Sequence, residues 1–182
     1  MKKSVEIVEI SKVDDENSNL YNFVYIQNGE KISTKVTKPL DVVKILIYNK
    51  DRDAFVITRQ FRPLVYINNP DMAYRYELCG GGCDKEGLSA KEVAIEEVYE
   101  EVGYKVDDLK EITNFYTGSK ITLYYVEVDD SMIATDGGGV DDEDIEVIYL
   151  PISEAKEFLF NPNIPKRPAL AFSFCWFFNW RS

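Results

Sequence analysis

The sequence predicts an α/β or α+β sandwich with a small antiparallel sheet on its N-terminal side. Three observations predict it. Short alternating or branched apolar runs fill residues 4–60, one strongly helical segment follows a glycine cluster, and strand-like and then helical runs close the chain.

Residues 4–10 alternate polar and apolar, and 20–26 are rich in aromatic and branched side chains. Asn28-Gly29 then forms a hairpin turn into 31–37. Pro39 interrupts the pattern, so residues 1–39 are expected as a separate small sheet and 40–182 as the main body. Residues 42–48 and 54–60 read as a second hairpin around Lys50-Asp51-Arg52-Asp53, and 75–78 lead into Gly80-Gly81-Gly82. The pattern turns helical from Ser89 to Val102, with Ser89 and Glu92 spaced as a capping box and Gly103 as the stop. Strands are expected at 122–128 and 145–150. The loop between them carries Gly137-Gly138-Gly139 and then Asp141, Asp142, Glu143 and Asp144. One short helix follows Pro151 and another covers 168–180, whose aromatic residues suit a core or dimer interface better than base stacking. There is no internal repeat or low-complexity tract.

At 182 residues the chain suits one domain with an appendage, and 45% hydrophobic content excludes wholesale disorder. A net charge of −11 argues against nucleic-acid binding through a basic face, so an anionic substrate needs another source of positive charge, a metal ion above all. With no histidine, Ser-His-Asp, Cys-His and His-ligated metal chemistry are excluded. Three cysteines are too few and too scattered for a disulfide framework, which points to a reducing compartment. No apolar leader is evident, and the run 170–180 is too short to span a bilayer. The expectation is a cytoplasmic protein without a membrane partner.

The helix is more acidic than a surface needs. At roughly 100° per residue, Ala94, Ile95, Val98 and Val102 share the buried stripe, Glu97 and Glu101 lie together along its edge, and Glu96 points nearly opposite. Glu92–Glu96, Glu96–Glu100 and Glu97–Glu101 are like-charge pairs, each costing about 0.2–0.5 kcal/mol. A solvated acidic face explains Glu92 and Glu96. It explains Glu101 poorly, because a carboxylate bordering the apolar stripe needs compensation for lost water. A hard divalent cation such as Mg²⁺ or Mn²⁺ held by Glu97 and Glu101 supplies it. The glycines before the helix let backbone carbonyls or amides approach such a site.

Residues 82–104 resemble the Nudix box, G-x5-E-x7-R-E-U-x-E-E-x-G-U with U a bulky aliphatic residue. Glu97, Val98, Glu100, Glu101 and Gly103 match; Leu88 stands where Glu is usual and Glu96 where Arg is usual. Those two positions normally support one another, so their joint departure bears on substrate class more than on metal-dependent hydrolysis. Residues 59–63 and 76–81 are similar to the segments preceding the box in nucleoside diphosphate-sugar pyrophosphatases. Gly87-Leu88-Ser89, Gly137-Gly138-Gly139, Ile145-Glu146-Val147 and Asn163-Ile164-Pro165-Lys166 are similar to the UDP-sugar (UDP-glucose) pyrophosphatase branch. The resemblance covers roughly residues 40–180.

It implies a Nudix fold, an α/β/α sandwich with a mixed sheet, and hydrolysis of UDP-glucose to UMP and glucose 1-phosphate. It further implies Mg²⁺, with Mn²⁺ as a substitute, on Glu97, Glu101 and the Gly80 or Gly81 carbonyl. Glu100 would bridge ions or orient water. Glu143, with Asp141 behind it, is the loop candidate for metal ligand or base, against the plain reading of a solvated acidic loop. Arg59 or Arg62 would contact phosphate, against the plain reading of surface salt bridges, and Glu77 would bind substrate or pair with such an arginine. Similar enzymes are homodimers through the N-terminal sheet. The alternatives are an ADP-ribose or ADP-sugar pyrophosphatase and a non-catalytic nucleotide-binding module.

Overall fold

The computed structural model describes residues 5–13, 19–140 and 143–181. The chain divides into two compact units, Met1–Leu40 with Thr117–Ser119, and Asp41–Tyr116 with Lys120–Ser182. The first is an antiparallel sheet of β1 (Val5–Lys12), β2 (Leu20–Gln27) and β3 (Glu30–Thr37), in that spatial order. Asn28 and Gly29 take φ of 55° and 84°, the pair of left-handed conformations that a two-residue type I′ turn requires.

The second unit holds a mixed sheet of β4 (Val42–Asn49), β5 (Ala54–Phe61), β6 (Tyr74–Glu77), β7 (Lys110–Tyr116), β8 (Lys120–Val128) and β9 (Ile145–Pro151). The order is β6-β5-β4-β8-β7, with β9 along β5; β4 and β8 run parallel and the other pairs antiparallel. The helices are α1 (Pro63–Asn68), α2 (Ala90–Val102), α3 (Ile152–Phe160) and α4 (Pro168–Trp180).

The expected second hairpin forms only at its turn. β4 and β5 pair over residues 47–49 and 54–56, then splay. The segment after β6 enters the gap and bridges β4, Cys79 opposite Ile45 and Gly82 opposite Val42. Gly80 is obligatory there: its φ is 129°, and a Cβ would lie 2.3 Å from the Val43 carbonyl oxygen. β7 is an edge strand that the sequence pattern does not announce. Its alternation is broken by a bulge between Glu111 and Thr113, and its residues are only partly covered.

Alternation along β4 separates two cores. Val43, Ile45 and Ile47 pack with Val93, Ala94, Val98 and Val102 of α2, whereas Leu46 joins Phe55, Ile57, Phe158, Leu170 and Phe174 beside α3 and α4. Helices thus cover both faces, the expected α/β/α sandwich. The aromatic helix α4 serves that second core through stacked Phe55 and Phe174, 4.2 Å between centroids. On α2 the buried stripe differs from expectation: Val93 is fully buried and Ile95 only borders the cluster.

Candidate active site

The central helix is built as its sequence demands. Ser89 accepts from the Glu92 amide while the Glu92 carboxylate accepts from the Ser89 amide, and Gly103 caps the far end at φ 77°. Glycines 137–139 then wrap that end: the Gly138 and Gly139 amides donate to the carbonyls of Glu101 (2.9 Å) and Glu100 (3.0 Å). All three glycines have positive φ, so the loop can hug the helix and satisfy carbonyls that a helix end leaves open. This stitching delivers Glu143 toward the acidic seam. Its carboxylate packs where a Gly139 Cβ would stand, at 2.8 Å, and its charge is felt by both Glu97 and Glu101. Asp141 lies outside the described residues.

Glu101 is 7% exposed, and its Oε2 accepts the Gly80 amide at 2.8 Å. Burial pushes its carboxyl up, opposed by Lys44 and by the Gly80 and Cys79 hydrogen bonds. Glu97 is pushed up to about 7, first by burial and then by the neighbouring Glu101 charge. Among the described residues its carboxylate has no hydrogen-bond partner, and a Cβ on Gly81 would fall 2.4 Å from its Oε1. A desolvated, unpartnered carboxylate cradled by a missing side chain, facing a second carboxylate, fits a hard cation. Among the described residues no three Asp, Glu or Cys side chains stand together as a ready-made cage.

Glu100 and Glu96 are bound by a residue that the sequence reading passed over. Lys85 donates to Glu96 (2.7 Å) and to Glu100 (3.2 Å). The outward-pointing Glu96 is therefore engaged rather than free.

The substrate candidates form a basic basin. Glu77, 2% exposed, accepts both arms of the Arg62 fork at 2.8 and 3.0 Å. Arg75 and Arg167 bind the same carboxylate at 2.9 and 3.3 Å. Three guanidiniums on one carboxylate leave a surplus of two positive charges in a protein of net charge −11. Of the two readings of Glu77, pairing with arginine is the one seen. Arg59 instead pairs with exposed Glu146 at 2.9 Å and lies over the Tyr74 ring. Arg75 shares the face of β6 with Glu77, a spacing of two that could have flagged it; Arg167 and Lys44 are joined to the site only by the fold. A cavity of about 460 Å³ is lined by Gln60, Phe61, Arg62, Pro63, Tyr74, Glu143 and Asp144, bringing the basin's edge and the acidic loop to one cleft. That volume is in the range of small-ligand sites.

A helix seam for a cation beside a basic basin for an anion defines a phosphate-handling α/β protein with a cation-assisted site. A NUDIX domain model matches residues 38–170, and the chain belongs to that family. It is 34% identical over 189 residues to uridine diphosphate glucose pyrophosphatase NUDT14 of Bos taurus, covering 85% of each chain. It is 32% identical over 165 residues to GDP-mannose pyrophosphatase of Pectobacterium atrosepticum, covering 85% of this chain and 84% of that one. A solved structure of an ADP compounds hydrolase superposes with TM-score 0.69 over 96% of this chain and 90% of that one, at 18% identity; this likeness concerns the fold.

Proposed function

We propose that this protein hydrolyses the pyrophosphate bond of a nucleoside diphosphate sugar, UDP-glucose plus water giving UMP and glucose 1-phosphate. The observation that carries the reading is the pairing of the Glu97–Glu101 seam with the arginine basin around Glu77. Phosphoryl transfer needs positioning and charge neutralisation more than covalent help. Mg²⁺, or Mn²⁺ in its place, would be held by Glu97, Glu101 and a carbonyl of Gly80 or Gly81, and supplies Lewis acidity toward a phosphate oxygen.

The chain's own residues do the rest. Arg62, Arg75 and Arg167 keep N–H groups beyond those spent on Glu77 and can hold phosphate oxygens. Glu143 would accept a proton from attacking water, and Glu100 would bridge ions or orient that water. The loop of glycines 137–139 holds Glu143 to the helix end and limits its wandering. A second reading takes GDP-mannose as substrate, favoured by the second relative named above.

The test is a panel of UDP-glucose, GDP-mannose, ADP-ribose and ADP-glucose with Mg²⁺, products followed by ³¹P NMR. UDP-glucose should show kcat/KM at least about tenfold above the others, a preference of about 1.4 kcal/mol. A faster reaction with another member would move the assignment to that nucleotide; no turnover of any member would leave a binding module.

The N-terminal sheet supports a homodimer. Val5, Ile7, Val8 and Ile10 are each 47–57% exposed on the edge strand β1, more apolar surface than a lone three-stranded sheet normally leaves uncovered. Sedimentation of the full chain at micromolar concentration should give a 42 kDa species, twice 21.0 kDa; a single 21.0 kDa boundary refutes the dimer. The free thiols Cys79, Cys83 and Cys175 fit the cytoplasmic setting expected from the cysteine count.

A further inference from the structure

Lys44 is a charged residue in a largely buried strand of the main sheet, flanked by Val43 and Ile45, both fully buried. Those two neighbours face α2, so Lys44 leaves β4 on the other face. The backbone register then decides where it stands. Val43 and Ile45 donate their amides to the carbonyls of Gly81 and Cys79, at 3.0 and 2.9 Å, which sets Lys44 directly opposite Gly80. Its ammonium donates to the Gly80 carbonyl. The Gly80 amide meanwhile holds Glu101. One glycine residue thus joins a lysine through its carbonyl to a seam carboxylate through its amide. The Lys44 charge acts on Glu97, Glu101 and Glu77 alike.

Among the described residues Lys44 has no carboxylate partner of its own, and a partly buried lysine so placed is costly to keep. The structure gives it one acceptor, a carbonyl that is also a candidate metal ligand. We propose that Lys44 is a tethered cation of the acidic seam that competes with the divalent ion for the Gly80 carbonyl and for the field of Glu97 and Glu101. This inference rests on the assignment of the seam as the metal site. In the metal-free protein Lys44 offsets part of the carboxylate repulsion. When an ion enters, like-charge repulsion and the shared carbonyl push the ammonium aside along its flexible four-carbon stem. Lys44 consequently weakens metal binding by the free protein.

Mn²⁺ binding to the nucleotide-free protein, followed by the loss of the free-ion EPR signal, tests this without reference to turnover. Thermal melting identifies any variant that fails to fold, and both Lys44→Met and Lys44→Gln are compared. Each uncharged variant should bind Mn²⁺ about tenfold more tightly than wild type, the scale of removing one like charge a few ångströms away. Lys44→Arg, which keeps the charge, should stay within about twofold. Unchanged or weaker Mn²⁺ binding in the folded uncharged variants overturns the inference. So does a pattern in which only KM for the nucleotide sugar rises, since that makes Lys44 a phosphate ligand. Glu101→Gln in the same titration separates the two levels. If it binds Mn²⁺ as wild type does, the seam is not the metal site and both readings fall; if it binds far more weakly while Lys44→Met is unchanged, only the Lys44 inference falls.

Discussion

Glu97→Gln should lower kcat on the order of a hundred- to a thousandfold while making the metal-free protein more stable at pH 8. The two effects have one cause. Glu97 is desolvated and faces Glu101, which together push its carboxyl up to about 7. A carboxyl whose folded value lies above its unfolded value of 4.5 binds protons more tightly in the native state. It therefore costs no stability below pH 4.5. The cost grows as pH rises through the window from 4.5 to about 7, and is fully present above it. A neutral amide of the same shape removes the cost, worth about 1–2 kcal/mol once solvent screening is allowed for. For a chain of this size that raises Tm by about 2–8 °C.

Divalent metal should reverse the ranking. An ion that binds only the native state adds stability as RT ln(1 + [L]/Kd), and wild type has the better site. Calorimetry at pH 5 and pH 8, with EDTA or with MgCl₂, reads all of this. In EDTA the variant should exceed wild type by less at pH 5 than at pH 8, and it should gain less from magnesium. Wild type outlasting the variant at pH 8 in EDTA, or a variant that turns over normally, shows that the seam is not built around a cation.

What could be read from the chain was local. The central helix announced itself because Ser89, Glu92 and Gly103 act within a few residues of one another, and Asn28-Gly29 specifies its turn the same way. The acidic seam was legible because α-helical period alone sets Glu97 beside Glu101. Glu143 was named from resemblance, and what holds it near the seam, amides of 138 and 139 on the helix carbonyls, is a contact between elements. The splay of β4 from β5 was hidden, because both strands are equally apolar and pattern cannot tell a paired edge from one opened by a third segment. Lys44, Lys85 and Arg167 were missed for that reason. They acquire their roles from neighbours distant in sequence, as Lys44 does from Gly80, whereas Arg75, also missed, stands only two residues from Glu77. The β7 strand escaped because its bulge destroys the period-two signal that would have revealed it.

The opposite sign belongs to Glu77, and Glu77→Gln should destabilise the fold by about 2–4 kcal/mol at pH 7. Burial alone would raise this carboxyl; hydrogen bonds and charge from Arg62, with Lys44 and Arg167 adding, overturn that and hold it at about 2. The estimate falls short of a fully buried pair because Arg62, Arg75 and Arg167 keep 35%, 20% and 46% of their side chains in solvent and can recover some hydration. A group lowered in the native state contributes stability above its unfolded value of 4.5, and loses it as pH falls through about 2. Urea unfolding should accordingly show a constant gap between wild type and variant from pH 5 to 8. That gap should narrow below 4.5 and close near pH 2, where wild type has protonated the same group. Arg59→Gln supplies the contrast: its bridge to Glu146 is solvent-exposed on both sides, so its removal should cost under about 1 kcal/mol at every pH. A Glu77→Gln cost as small as that of Arg59→Gln, or a gap that persists undiminished into acid, would mean that the three arginines do not need their carboxylate. The basin would then be held by its backbone alone, and its surplus charge could not be credited to a fixed arrangement around Glu77.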